Sequence, residues 1–162
     1  MSAAPRPSSL PPEGPVQYVQ PGQMVLSAEP RTLSTILGSC VAVCLWDRLT
    51  GAGGMNHYLL PTRPGTAPSS PRFGDVAVPD LVDKLLAFGV RRECVDAKVF
   101  GGARVLDAPG DGADHLGLRN AETAVELLRR QGIPVIGGDV GGRRGRRVLF
   151  DLRTGQAWVR LL

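Results

Sequence analysis

Short apolar runs separated by turns fill the stretch from Met24 to Leu60, and they predict strands. Met24-Val25-Leu26-Ser27 follows the Pro21-Gly22 turn and reads as a short strand. Val41 to Trp46 is apolar at every position, the pattern of a buried strand. Asp47-Arg48-Leu49-Thr50-Gly51 reads as a hairpin turn, and Gly53 to Leu60 as the returning partner strand. The period then lengthens. Leu81, Val82, Leu85 and Leu86 share one face of a helix predicted from Val78 to Phe88, with Gly89 as its stop. Val95 to Phe100 reads as a strand ending in Gly101-Gly102-Ala103. A second helix is predicted after Asn120, taken as its N-cap, with Ala124, Leu127 and Leu128 facing inward and an end before Gly132. Ile133 to Ile136 is a further strand. Arg147–Leu152 and Gln156–Leu161 alternate about Arg153-Thr154-Gly155 and predict a closing hairpin. Strands in groups with helices between them give an α+β class, a single domain of mixed strands with helices packed on the sheet.

Two stretches fall outside this pattern. Residues 1–15, rich in Pro, Ser and Ala, bury almost nothing and are expected to form a disordered arm, leaving residues 16–162 as the domain. Thr62 to Pro71 has the same character and reads as a mobile loop directly after the His57 strand. A chain of 162 residues, 43% hydrophobic, suits one domain with a sizeable core. Its charge of +4 favours acidic partners without indicating nucleic acid. An odd count of three cysteines does not suggest a disulfide framework, there is no apolar leader, and no run approaches the ~18 apolar residues of a membrane span. A reducing cytoplasm, with no membrane insertion, is the expected setting.

Candidate chemistry centres on Cys40, which follows Leu37-Gly38-Ser39 where a turn enters the apolar strand. His57, one of two histidines, follows seventeen residues later. Thiol and imidazole on paired strands are the minimum parts of a thiolate nucleophile. Backbone N–H groups of Ser39 and Cys40 are candidates for an oxyanion hole. An imidazole within reach of the sulfur would lower the thiol pKa and form a thiolate–imidazolium pair. Ser34 or Thr35 could supply the hydroxyl that orients the ring. The bland alternatives are a buried structural thiol and a core histidine. Cys44 and Cys94 read as packing residues, and His115, in the polar stretch Asp111 to His115, as a surface residue. Cysteines and histidines this scattered have no metal-ligand spacing, so no metal is expected. No P-loop or GxGxxG follows a strand, so no nucleotide cofactor is expected either. Gly137 to Arg147 ends in Arg143-Arg144-Gly145-Arg146-Arg147; a solvated basic turn is favoured there over a phosphate or nucleic-acid site.

These residues resemble the CheD family of chemoreceptor glutamine deamidases. The resemblance is carried by Leu37 to Leu45, by Gly54, His57 and Leu60-Pro61, by Lys98 to Ala103, by Gly117-Leu118-Arg119-Asn120, and by Asp139, Gly141-Gly142 and Gly145-Arg146. It spans about residues 20–162. It implies an α/β sandwich similar to the catalytic domain of cytotoxic necrotizing factor toxins. It also implies a protein-glutamine glutaminase acting on methyl-accepting chemotaxis receptors without a cofactor. By position Cys40 takes the nucleophile's place and His57 the base's. The family's threonine falls on Ser34 or Thr35 according to a one-residue choice of spacing. A CheC-like phosphatase is the implied regulatory partner. An acidic helical substrate gives Arg143 and Arg144 a role in steering it. The alternative is a non-catalytic adaptor that binds receptors or such a phosphatase without turnover.

Overall fold

The structure, a computed structural model, describes residues 10–105 and 115–162. Nine strands and two helices order as β1 (Val16–Tyr18), β2 (Met24–Ser27), β3 (Thr32–Leu37), β4 (Val41–Asp47), β5 (Gly53–Asn56), α1 (Gly74–Leu86), β6 (Val95–Gly101), α2 (Leu116–Arg130), β7 (Val135–Val140), β8 (Arg146–Asp151) and β9 (Gln156–Leu161). They build two sheets, β1-β3-β8-β9 and β2-β5-β4-β6-β7. Parallel pairs occur in both, β1 with β3 and β6 with β7, and the remaining pairs are antiparallel. The α+β class expected from the sequence is the one observed.

Strand β4 is apolar from Val41 to Trp46 because it sits in the middle of three layers. Val41, Val43 and Leu45 face α1 and α2, where they pack with Val78, Leu81, Leu85, Ala124 and Leu128. Ala42 and Cys44 face the four-stranded sheet, where they pack with Leu33, Leu37, Val148 and Phe150. A strand with both faces covered loses the alternation of a half-solvated one. Cys44 is accordingly a core residue, 1% exposed.

Several boundaries differ from those expected. Strand β3 was not anticipated: its hydroxyl-bearing Thr32, Ser34 and Thr35 interrupt the apolar signal, yet all three are buried between neighbours β1 and β8. Helix α1 begins at Gly74, four residues before the predicted start. Pro79, a residue suited to a first turn, lies in its second turn instead. Helix α2 begins at Leu116, so Asn120 is not its N-cap. His115 fills that role, its Nδ1 accepting from the Leu118 N–H at 3.2 Å. Strand β5 stops at Asn56, and Tyr58 continues the pairing only as an isolated bridge to Val41. Strand β7 runs to Val140, absorbing Gly137, Gly138 and Asp139, which were read as turn. Of the expected arm, residues 1–9 lie outside the described residues, as do 111–114 of the polar stretch before His115; Leu10 to Pro15 hold no regular element. Thr62 to Pro71 is likewise without helix or strand. Among the described residues no helix is long and apolar enough to cross a membrane.

Where β6 ends, the backbone turns tightly against α2. Gly101 and Gly102 have φ of 108° and 69°, values that L side chains rarely adopt. A Cβ on Gly117, at the start of α2, would lie 2.4 Å from the Gly102 carbonyl oxygen and 2.5 Å from that of Ala103. Both neighbours are backbone and have no rotamer to yield. Gly117→Ala is therefore expected to cost about 1–3 kcal/mol, the range for overpacking. Urea unfolding measures it, and wild-type stability in the variant would mean that the helix is free to shift.

Candidate active site

Pairing of β4 with β5 fixes the site. Cys44 lies opposite Met55, and three residues on Val41 lies opposite Tyr58, so the register runs through without a bulge. Val41 and Tyr58 exchange both backbone hydrogen bonds, at 3.1 and 3.0 Å. Continued by one step each way, the register sets His57 opposite Ala42 and Leu59 opposite Cys40. Side chains two apart share a face. Cys40 and His57 are thus diagonal neighbours on one face, at a backbone separation of roughly 7–8 Å that a sulfur and an imidazole can bridge.

The imidazole is held from the other sheet. Thr35, on β3, places its Oγ1 2.8 Å from His57 Nδ1 and donates its own hydrogen to the Val19 carbonyl at 2.8 Å. With its only hydrogen committed, the hydroxyl accepts at the ring, so Nδ1 carries the proton and Nε2 holds a lone pair. Nε2 is buried and has no partner. The ring's main chain is pinned as well: His57 N–H donates to Gln23 O at 3.1 Å, and Gly22 N–H donates to His57 O at 2.8 Å. The two candidate hydroxyls have different partners. Thr35 meets the ring, whereas the Ser34 hydroxyl accepts a long 3.5 Å bond from Arg147 Nε.

Cys40 is half-buried and lines a cleft of about 460 Å³ with Ser39, Leu59, Leu60, Arg72, Phe73 and Leu116. The mostly apolar walls suit an aliphatic stem, and Arg72 supplies a cation that the sequence reading did not single out. Arg72 and Phe73 close the Thr62–Pro71 segment, and the Arg72 carbonyl accepts from both Leu59 and Leu60 N–H.

Desolvation acts on both reactive groups in the same sense. Burial pushes the Cys40 thiol above its ordinary range, with the cysteine's own backbone N–H opposing the rise. Burial lowers His57 to about 4. Both shifts favour the neutral forms. That direction runs against the standing thiolate–imidazolium pair expected from the sequence.

The arginine segment divides. Arg143 and Arg144 are exposed, and Arg144 Nε donates to the Leu162 carbonyl at 2.8 Å. Arg146 is 2% exposed and binds the side chain and carbonyl of Asp139 and the carbonyl of Gly141. It ties β7 to β8 and is a structural residue, not part of a basic surface. Among the described residues no group of three or more His, Cys, Asp or Glu could hold a metal ion. All three cysteines are free.

Comparison with known proteins is specific. A family model described as CheD chemotactic sensory transduction matches residues 59–161. "Probable chemoreceptor glutamine deamidase CheD 1" of Anaeromyxobacter dehalogenans is 50% identical over 90% of this chain and 84% of its own length. The chain belongs to the CheD family. Two further members bearing the name "Probable chemoreceptor glutamine deamidase CheD" agree. That of Trichlorobacter lovleyi is 43% identical over 85% of each chain. That of Rhodospirillum rubrum is 42% identical over 91% of this chain and 83% of its own. The family-model match begins beyond Cys40 and His57.

A buried neutral histidine has a measurable signature. The unfolded chain binds a proton near the ordinary value of 6.5 that the folded chain refuses until about pH 4. Stability is thus full above 6.5 and falls as pH drops towards 4, by on the order of 2–3 kcal/mol for this group. Between pH 7 and pH 4, wild type is expected to lose that much more unfolding free energy than His57→Gln. Parallel losses in chemical denaturation would show that His57 titrates normally.

Proposed function

We propose that this CheD protein is a cysteine-dependent protein-glutamine glutaminase that converts glutamine side chains of methyl-accepting chemotaxis receptors to glutamate. One observation carries the reading: a buried His57 whose Nδ1 is committed to Thr35, leaving an unpartnered Nε2 on the face it shares with the cleft thiol. Such a nitrogen is a general base kept in the correct tautomer.

In this reading the glutamine side chain enters between Leu59, Leu60 and Phe73. Sγ of Cys40 attacks Cδ as its proton passes to His57 Nε2. The backbone N–H groups of Ser39 and Cys40 receive the oxyanion. The imidazolium then protonates the amide nitrogen, the C–N bond breaks, and ammonia leaves a thioester. Water attacks the thioester carbon, His57 takes its proton, and the C–S bond breaks to release glutamate and restore the thiol. Thr35 holds the ring through both halves and stabilises the transient imidazolium. No step draws on a cofactor. A CheC-like phosphatase is carried as a partner on family membership alone.

Cys40→Ala should abolish deamidation with its fold intact, while Cys44→Ala and Cys94→Ala keep most activity. Mass spectrometry of a co-incubated receptor fragment reads the one-dalton gain at each converted glutamine. Wild-type turnover by Cys40→Ala would end the proposal. A folded wild-type chain that binds the fragment without converting it would favour an adaptor.

We infer that the exposed Arg143–Arg144 loop steers an acidic substrate. Arg104 N–H donates to Gly142 O at 2.8 Å and Gly141 N–H to Gly101 O at 2.9 Å, which anchors the loop to the segment that also binds the Gly38 and Cys40 carbonyls. Exposed charges of this kind act on association more than on chemistry. Replacing Arg143 and Arg144 by Ser should raise KM at low salt and leave kcat nearly unchanged. The difference should fade as the Debye length shrinks from ~10 Å at 0.1 M to ~3 Å at 1 M salt. A KM that does not move at low ionic strength would reduce the pair to solvated surface.

A further inference from the structure

Asn120 occupies an unexpected place. It lies in the second turn of α2, fully buried, where a polar and mediocre helix former needs a reason to be. Its Nδ2 donates twice, to Ser39 O and to Leu59 O, each at 2.9 Å. Both residues line the Cys40 cleft. The Asn120 carbonyl accepts from the Tyr58 hydroxyl, which fixes this turn of α2 against the strand end.

The bond to Ser39 constrains more than the cleft's width. A trans peptide is planar, so its carbonyl and its N–H point in opposite directions. Drawing Ser39 C=O towards α2 aims Cys40 N–H away from the helix. The following peptide is held too, since Gly102 N–H donates to Cys40 O at 2.9 Å. Both peptide planes flanking the cysteine are thereby set before substrate arrives. Gly101 is required for this closeness, because a Cβ there would lie 2.2 Å from the Cys40 carbonyl oxygen.

We propose that Asn120 is a positioning residue whose side-chain amide, by clamping Ser39 O and Leu59 O, orients the Cys40 N–H that receives the oxyanion. This rests on the glutaminase reading. The amide touches neither the substrate nor the sulfur; it acts through the Ser39–Cys40 peptide. Electrostatic stabilisation by a backbone donor depends on its direction being fixed in advance. Loss of the clamp therefore reduces transition-state stabilisation and leaves thiol and base in place.

The test uses the full chain and a glutamine-bearing receptor fragment, with Asn120→Ala and Asn120→Leu. The leucine variant nearly fills the vacated volume and carries the test should the alanine variant fail to fold. In either, kcat should fall by roughly tenfold to a hundredfold, less than the ~10²–10³ of losing an oxyanion donor outright, with KM changed by less than about twofold. The rate of Cys40 alkylation by iodoacetamide should stay at the wild-type value, because thiol and imidazole are untouched. Tyr58→Phe, which removes a bond to the same turn but spares the amide, should keep kcat even where it lowers the melting temperature. An unchanged kcat in the Asn120 variants overturns the proposal. So does a kcat loss matched by Tyr58→Phe, or one that tracks a fall in alkylation, since either marks general loosening. A wild-type chain that leaves every receptor glutamine unconverted removes the glutaminase reading itself, and the proposal with it.

Discussion

The two hydrogen bonds exchanged between Val41 and Tyr58 set the register on which the site depends. A slip of one residue would turn His57 to the opposite face from Cys40 and into the helix-facing core. The sequence guards against that slip on both faces. Val41 and Val43 fill the layer under α1 and α2, Ala42 and Cys44 fill the layer over Leu33 and Phe150, and neither face tolerates the other's side chains without repacking. Asn56 adds a specific lock, since its Oδ1 accepts from Val43 N–H at 2.8 Å and its Nδ2 donates to Ala77 O. The core thus fixes the chemistry through the strand register, at a site that needs both sheets and a helix to be complete.

Buried polar groups cost free energy unless they are paired. Several of them here are tied by side-chain hydrogen bonds. Thr35 satisfies one ring nitrogen of His57, Asn120 binds two carbonyls of the cleft walls, and Arg146 gathers the turn after β7. His57 Nε2, Asn120 Oδ1 and Arg146 Nε are left without a partner. Desolvation favours the neutral forms of both Cys40 and His57.

Much of this was legible in the sequence, for identifiable reasons. The uninterrupted apolar run of β4 announced its burial, the alternation around Thr154-Gly155 announced the closing hairpin, and the turn before Cys40 together with the spacing to His57 singled out the candidate pair. What escaped is equally physical. Strand β3 was hidden because it carries hydroxyls on a buried strand, so Thr32, Ser34 and Thr35 broke the hydrophobic signal. Asn120 was read as a cap because asparagine favours helix ends; tertiary hydrogen bonds to Ser39 and Leu59 override that preference. Arg146 was counted with its exposed neighbours, and only the packing of β7 against β8 reveals it as buried. Local propensity could not separate Ser34 from Thr35, since that difference is one of sheet face.

The central claim is that register and burial make Cys40 the nucleophile of a thioester mechanism. Acid-quenched mass spectrometry of the chain mixed with a glutamine-bearing receptor peptide tests it directly. The account predicts a transient adduct on the Cys40 peptide, with a mass equal to the sum of both partners less ammonia. Conversion of glutamine with no adduct at any quench time, or with the adduct on Cys44 or Cys94, would contradict it.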